Sequence, residues 1–294
     1  MLFSSAYATV LGVLPSLITA DTAVISDELN HNCIINAIRL ARPRERYVYR
    51  HLDLAELETR LGEAAGKCKR AIVVTDGIFS MRGDHAPLAE IGTIARKHDA
   101  AFPENVLLVV DDSHGVGAFG ATGRGTEEQT GSTADVLVGT LGKAFGVNGG
   151  YVVASTALVE YLRETATTYI YSNPISPGEA VAAATAVALV DSAAGRDLLK
   201  RLAETARRFR NGLAALGFET IPGDHPIVPL VLHDTPRTVA LVQHLRDNGV
   251  LATGLTFPVV PRGAEEIRFQ IAADHTAADI DEVLRILGEF RLNA

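Results

Sequence analysis

The run Val106-Leu107-Leu108-Val109-Val110-Asp111-Asp112-Ser113-His114 decides how this chain is read. An unbroken apolar stretch of this length, rich in valine, reads as a strand buried on both faces. It ends on two carboxylates, a hydroxyl and an imidazole, groups that a buried strand does not carry without a use or a partner. Working outward, a second apolar run, Val136-Leu137-Val138, ends on Gly139-Thr140-Leu141-Gly142-Lys143. One strand therefore delivers acids and an imidazole, and the next delivers a lysine in a glycine-flanked turn. In open α/β sheets ligands bind at the carboxyl ends of the strands. Asp111 continues its strand directly, and alternation turns Asp112 to the other side. An acid that keeps a ring nitrogen protonated and an amine that forms a Schiff base fit a pyridine-type cofactor.

Each of these residues has a plainer reading. Two aspartates at a strand end often make a turn or a helix cap, and most lysines are solvated. Lys143, however, is flanked by Leu141, Ala144 and Phe145, which predicts a desolvated amine with a lowered pKa, usable as nucleophile and base. Gly115-Val116-Gly117-Ala118-Phe119-Gly120 matches G-x-G-x-x-G after a strand, but Ala121-Thr122-Gly123-Arg124-Gly125 does not open a helix, so the nucleotide reading fails. Gly142-Lys143 fails as a phosphate loop, because Leu137 and Ala144 stand where Gly and Ser/Thr are required. No Cys/His/Asp cluster has zinc spacing and no G-x-S-x-G elbow occurs. Arg268, inside the apolar strand Ile267–Ala272, is either a fork for a substrate carboxylate or the ordinary partner of Glu265 or Glu266.

The remaining chain alternates strands and helices. Ser4-Ser5-Ala6-Tyr7 precedes a helix over Val10–Leu17, whose N-terminus suits either a phosphate or an ordinary serine cap. Strands are predicted at Ala23–Ile25, Arg46–Arg50, Ala71–Val74 and Tyr151–Ala154. Helices follow His31, Asp53 (with Glu56 as a capping box), Pro87 and Thr156. Glu179–Ser192 reads as an Ala/Val helix buried on most sides, and Gly195 as a break. A long amphipathic helix, Arg196–Leu216, leads into strand Ile227–Leu232, helix Thr235–Asn248, strands Val250–Ala252 and Ile267–Ala272, and helix Ala277–Leu292. The expected fold class is α/β, with a mostly parallel, helix-covered sheet domain over 1–190 and a smaller α+β domain over 191–294.

Composition bounds the function. The chain has 294 residues, 47% of them hydrophobic, and a formal net charge of −8. That charge argues against nucleic acid and anionic membrane as partners. The apolar span Ala8–Ala20 is too short to cross a bilayer and is interrupted by Pro15. Cys33 and Cys68 are the two cysteines; they read as small buried hydrophobes in a reducing, cytoplasmic compartment.

Taken together, Ser26-Asp27-Glu28-Leu29-Asn30-His31, Asp76-Gly77-Ile78-Phe79-Ser80-Met81, Asp111–Gly117 and Gly139–Ala144 resemble, in order and over nearly the whole chain, the α-oxoamine synthases. These are fold-type-I enzymes that use pyridoxal 5′-phosphate. The resemblance implies that Lys143 holds the cofactor and later acts as base, Asp111 pairs with the pyridine nitrogen, and His31 stacks on the ring. It further implies that Ser80 and His114 bond the ring oxygen, and that the Ala6 and Tyr7 amides with the Thr140 hydroxyl hold the phosphate. Ser172 reaches the cofactor of a neighbouring subunit, so a homodimer is implied, and Arg268 takes the amino-acid carboxylate. The expected activity is condensation of glycine, or a similar small amino acid, with an acyl-CoA. Within the family the wording, including Phe257-Pro258-Val259-Val260-Pro261, is most similar to the glycine C-acetyltransferases and next to the 8-amino-7-oxononanoate synthases. Family members carry roughly a hundred further residues before the shared motifs, an ordinary size for part of a domain. An inactive or truncated remnant of the same fold is therefore the alternative expectation.

Overall fold

A computed structural model describes residues 1–292. The chain divides into two compact units. The first takes Met1–Phe79 and His85–Arg196, and the second takes Ser80–Asp84 and everything from Asp197 onward.

The first unit alternates as the sequence predicts. In order it contains β1 (Leu2–Phe3), α1 (Ala6–Leu17), β2 (Thr22–Asp27), α2 (Asn32–Ala41), β3 (Glu45–Tyr49), α3 (Leu54–Ala64), β4 (Arg70–Asp76) and α4 (Leu88–His98). It continues with β5 (Asn105–Asp111), α5 (Thr126–Thr130), β6 (Val136–Thr140), β7 (Gly150–Ala154), α6 (Thr156–Thr165), α7 (Thr167–Ile170) and α8 (Pro177–Val190). The seven strands form one sheet in the order β1-β7-β6-β5-β4-β2-β3. Strands β2 to β6 run parallel, while β7 is antiparallel to β6 and β1 to β7.

Strand alternation splits the core in two. Val24, Ile72, Val74, Val109, Val136 and Val138 pack on one side with residues of α1 and α2. Ala23, Ile25, Val73, Leu108 and Val110 pack on the other with residues of α3 and α4. The chain moves outward from β2 to β3 and then returns past β2 to β4, so the order reverses between β2 and β4. Such reversals open a crevice at the carboxyl ends of the strands.

Several local expectations are corrected. Asp53 caps α3 by accepting the Glu56 N–H at 2.9 Å, but Glu56 does not return the bond; its Oε2 accepts from the Arg50 N–H and Nε instead. Gly195 is no break. It lies inside α9 (Ala193–Ala215), and the Ser192 hydroxyl caps that helix by accepting the Gly195 N–H at 3.2 Å. Most of α8 is exposed, with Ala183 buried and Val181, Val187 and Leu189 open to solvent. The all-apolar pattern said that α8 lacks a polar face; it could not say what covers it. Alongside α8 runs a hollow of about 730 Å³ lined by Leu141, Phe145, Tyr151, Val153 and Val187 among others.

The second unit holds α9, β8 (Glu219–Thr220), β9 (Ile227–Val231), α10 (Thr235–Asp247), β10 (Thr253–Leu255), β11 (Glu266–Gln270) and α11 (Ala277–Leu292). Its four strands form an antiparallel sheet, β10-β11-β9-β8. The strand expected at Val250–Ala252 starts at Thr253. Gly249 adopts φ +80° and Val250 still bonds back to Leu245, so those residues finish α10 rather than begin a strand. Phe209 of α9 meets Phe269 of β11 edge-on, with ring centroids 4.9 Å apart, and is 1% exposed. Phe209→Ala should destabilise this unit by about 3–5 kcal/mol, read as a lowered urea midpoint with the first unit's transition unchanged.

Candidate active site

The site residues of the first unit gather where the carboxyl ends of β4, β5 and β6 meet α1 and the start of α2. Parity places them. Asp111 follows Val109, Asp76 follows Val74 and Thr140 follows Val138, so all three share the side covered by α1 and α2. Asp111 forms the polar end of an apolar floor made by Val10, Val13, Leu14, Ile34, Val74, Val109 and Val138.

Asp111 is held on one oxygen. Its Oδ1 accepts the Ser113 N–H at 3.1 Å and the Ser113 hydroxyl at 2.6 Å, a tight Asx-type turn. Its Oδ2 faces the Cys33 thiol at 3.5 Å. Cys33 in turn lies 2.9 Å from His31 Nδ1, and His31 caps α2 by accepting the Cys33 N–H on that same nitrogen at 3.2 Å. An accepting Nδ1 makes the neutral ring carry its proton on Nε2. Solvent reaches His31, yet the packing around it lowers the imidazole pKa below its ordinary value; Lys143 lowers it further and Asp111 opposes both. Burial and the neighbouring carboxylates Asp111 and Asp76 push the Cys33 thiol up, so it is held as a thiol.

The expected desolvation of Lys143 is not found: Lys143 is exposed. Apolar sequence neighbours did not predict burial because Gly142 and Ala144 on either side are themselves exposed. Leu141 bonds to Gly149 and Val147 to Leu141, which closes the turn that carries Lys143. His114 is half-buried in the turn Asp112–Val116.

A second cluster forms at the start of α1. Ser5 caps the helix, accepting the Ala8 N–H on its hydroxyl at 3.1 Å and the Thr9 N–H on its carbonyl. This cap uses neither the Ala6 nor the Tyr7 N–H. Thr140 is the ladder partner of Gly150, and a Cβ at Gly150 would lie 2.3 Å from Ala6 N. Glycine at 150 therefore lets the positive end of α1 sit against the strand that pairs with Thr140, whose hydroxyl accepts the Gly142 N–H at 3.1 Å. Helix N-terminal amides beside a hydroxyl are an anion cradle.

Ser80 and Arg268 lie in the second unit. There Arg268 Nε donates to the Ser80 carbonyl at 2.6 Å and a terminal nitrogen reaches Gln270 Oε1 at 3.4 Å. Glu265 is engaged elsewhere, with Thr235 and Gly263. Ser172 is exposed in the loop before α8. Asp112 turns to the opposite side from Asp111, as alternation requires. Its carboxylate accepts the Thr126 hydroxyl and N–H, each at 2.7 Å, and presses against Gly77, Gly115 and Gly125.

Sequence reasoning missed Asp76, Cys33, Ser113 and Asn30. Asp76 ends an apolar run just as Asp111 does, so the same signal was present. Its Oδ2 accepts the His31 N–H at 3.1 Å, while Asn30 ties β4 to the loop by accepting the Asp76 N–H and donating to the Val74 carbonyl. Nothing in the sequence marked Cys33 as a neighbour of Asp111.

Residues 1–287 match the aminotransferase class I and II family. The chain belongs to that family. It is 41% identical over 294 residues to the 8-amino-7-oxononanoate synthase of Marinobacter nauticus, covering 99% of this chain and 72% of that one. It is 39% identical over 292 residues to the mitochondrial 2-amino-3-ketobutyrate coenzyme A ligase of Bos taurus, covering 98% and 67%. Among solved structures, a serine palmitoyltransferase from S. paucimobilis with a bound PLP–myriocin aldimine superposes over the whole chain, with a TM-score of 0.92 and 30% identity, covering 72% of that protein. These relatives are α-oxoamine synthases, so the chain is a fold-type-I, pyridoxal-phosphate-dependent enzyme of the acyl-transferring kind. Among the described residues no helix is long and apolar enough to cross a membrane, and no cluster suited to a metal ion occurs.

The donor set fits the cofactor. A buried carboxylate with one oxygen not taken by Ser113, a cradle of amides with a hydroxyl, and an exposed lysine in the turn after β6 suit a ring nitrogen, a phosphate and an aldehyde respectively.

Asp112 gives a titration. Burial, outweighing the two bonds from Thr126, raises its pKa to about 7 from 3.8, and Asp111 and Glu127 add to the rise. Its contribution to stability is full below the unfolded pKa and is lost as pH rises through about 7. Asp112→Asn removes that loss. The variant should gain on wild type by up to about 4 kcal/mol as pH rises from about 4 to about 8, measured by urea unfolding across the range; a pH-independent difference would contradict this.

Proposed function

We propose that this chain condenses a small α-amino acid with an acyl-CoA, using Lys143 as the cofactor-bearing amine and base. The observation that carries the reading is the convergence of Asp111, Lys143 and the Ala6/Tyr7/Thr140 cradle on one sheet edge, in a chain whose relatives are acyl-transferring enzymes.

Pyridoxal phosphate, when bound, supplies a protonated ring that takes up the electron pair left as a proton leaves the amino acid's α-carbon. The chain's residues have separable tasks in this reading. Asp111, fixed on Oδ1 by Ser113, presents Oδ2 to a ring nitrogen and keeps that nitrogen protonated. His31, held by its N–H and its Nδ1, offers its ring as a stacking face. His114 and Ser80 are the donors for the ring oxygen. The Ala6 and Tyr7 amides and the Thr140 hydroxyl hold the phosphate. Lys143 Nζ removes the α-proton, and its exposure leaves it room to exchange between cofactor and substrate. Arg268 takes the substrate carboxylate with the guanidinium edge not used on Ser80.

The substrate pair is drawn at class level. Sequence wording favoured a glycine C-acetyltransferase, but the two kinds of relative match with similar identity and coverage. A decarboxylating condensation of the 8-amino-7-oxononanoate synthase type is therefore supported at least as well. Assaying glycine and alanine against acyl-CoA thioesters of increasing chain length, with release of carbon dioxide followed in parallel, separates the two.

Lys143→Ala should abolish acyl-CoA-dependent thiol release, a loss of about 10³-fold or more, and should remove the visible absorbance of cofactor-loaded protein. Release that survives in the variant would sink the assignment. Gly150→Ala should weaken pyridoxal phosphate binding by about tenfold or more, because the added carbon displaces the start of α1; equilibrium titration measures it.

The active form in this reading is a homodimer. Helix α8 leaves Val181, Val187 and Leu189 exposed directly after the loop that carries Ser172, and a second copy of the chain is the partner that would cover them. Val187→Glu should shift sedimentation toward the monomer at concentrations where the wild type is dimeric.

A further inference from the structure

Asp76 and Asp111 form a pair that the cofactor reading does not explain. They are ladder partners at the ends of β4 and β5, they share a side of the sheet, and they expose 4% and 7% of their surface. Like charges set directly opposite one another in a sheet repel, and burial strips away the water that would screen them. A proton kept on one of the two relieves that repulsion, and the hydrogen bonds favour one over the other. Asp111 receives the Ser113 N–H and hydroxyl on Oδ1 and faces the Cys33 thiol with Oδ2. Asp76 receives the His31 N–H on Oδ2, while its Oδ1 is buried without a partner. An ionised oxygen left bare in the interior costs far more than a neutral one.

The other groups facing Asp76 do not reverse the balance. Asp27, at the end of β2, opposes its ionisation, and Lys143 and the His31 N–H favour it. Burial, with Asp111 next, outweighs them and holds the Asp76 carboxyl well above the usual carboxylate range.

From this arrangement we propose that Asp76 is a positioning residue that stays protonated at neutral pH, so that the single negative charge of the strand-end pair rests on Asp111. Its consequence rests on the cofactor reading above: a ring nitrogen at Asp111 meets a full carboxylate, rather than one that shares its charge with a neighbour. Asp76 meanwhile fixes the backbone of the loop that bears His31, and a neutral acid does this without adding a second charge beneath the ring. In a coupled pair of this kind the proton belongs to the pair, and the surrounding donors place it.

Infrared difference spectra of cofactor-free protein read the proton directly. At about pH 7.5, wild type minus Asp76→Asn should contain the carbonyl stretch of a protonated carboxylic acid. The same band, taken as Asp111→Asn minus the Asp76→Asn/Asp111→Asn double variant, should titrate away at least about one pH unit lower, because the repulsion is gone. A difference showing only carboxylate bands, or a titration indifferent to position 111, overturns the proposal. Should Asp76→Asn fail to fold, the band is followed in Asp112→Asn protein with and without Asp111→Asn, which leaves Asp76 intact and removes the proton of Asp112. Cofactor affinity is the second readout. Asp76→Asn mimics the neutral acid and should keep the pyridoxal phosphate dissociation constant within about threefold of wild type, whereas a loss of about tenfold or more would mean that charge at position 76 is used. The infrared arms need no cofactor, so a protein that failed to bind pyridoxal phosphate would end the functional reading and leave this one standing or falling by itself.

Discussion

A strand covered on both faces commits whatever residue ends it to one of two interiors. Strand β5 lies in mid-sheet, with α1 and α2 packed on one side and α3 and α4 on the other. Its last residues, Asp111 and Asp112, are consequently sent to opposite sides by backbone alternation alone. The side that Asp111 enters contains the mouth between β4, β5 and β6 and the start of α1. The side that Asp112 enters contains the hydroxyl and N–H of Thr126 and three glycines. In the proposed reading one carboxylate serves the chemistry while the other serves the architecture, although they are chemically identical and adjacent in the chain. Burial also raises the proton affinity of Asp112.

Much of this was legible in the sequence where a physical period carries the signal. The valine-rich runs gave β4, β5 and β6, and alternation assigned Asp111 and Asp112 to different sides. The lysine turn after β6 could be placed because a strand had to end there. What failed did so for reasons that lie beyond local sequence. Lys143 has apolar neighbours, but burial depends on what stands over a turn, and Gly142 and Ala144 beside it are exposed too. Helix α8 has no polar face, yet a lack of polar residues does not supply a covering partner. Gly195 reads as a break because glycine often ends helices, whereas here Ser192 starts one just ahead of it.

The candidate site was less legible than the fold. Asp111, Lys143 and Arg268 could be singled out from their own surroundings. The helix start at Ala6 and Tyr7 was legible as a phosphate site or an ordinary cap, and the resemblance chose between them; His31, Ser80, Thr140 and Ser172 needed the resemblance. Cys33 escaped both routes, because neither strand period nor motif marks a residue whose importance is its contact with Asp111 across the fold; Ser113 stood inside the quoted motif, but its hold on Asp111 is a local turn that only the structure shows. Gly150 is similar: its part in bringing α1 against the strand that pairs with Thr140 is visible only once the backbone of Ser5 and Ala6 is seen where a side chain would otherwise stand.

The packing of Gly77, Gly115 and Gly125 around the Asp112 carboxylate has an evolutionary corollary. A Cβ at any of these positions would come within 2.3 Å of a carboxylate oxygen of Asp112, and Gly125 also needs its positive φ of 80°. Three positions spread over nearly fifty residues of sequence are thus hostage to one side chain. Drift at position 77 or 115 is closed while Asp112 remains, and it would open only in a lineage that first shortened that residue and found another anchor for Thr126. Position 125 would stay glycine even then, held by its backbone rather than by its neighbour.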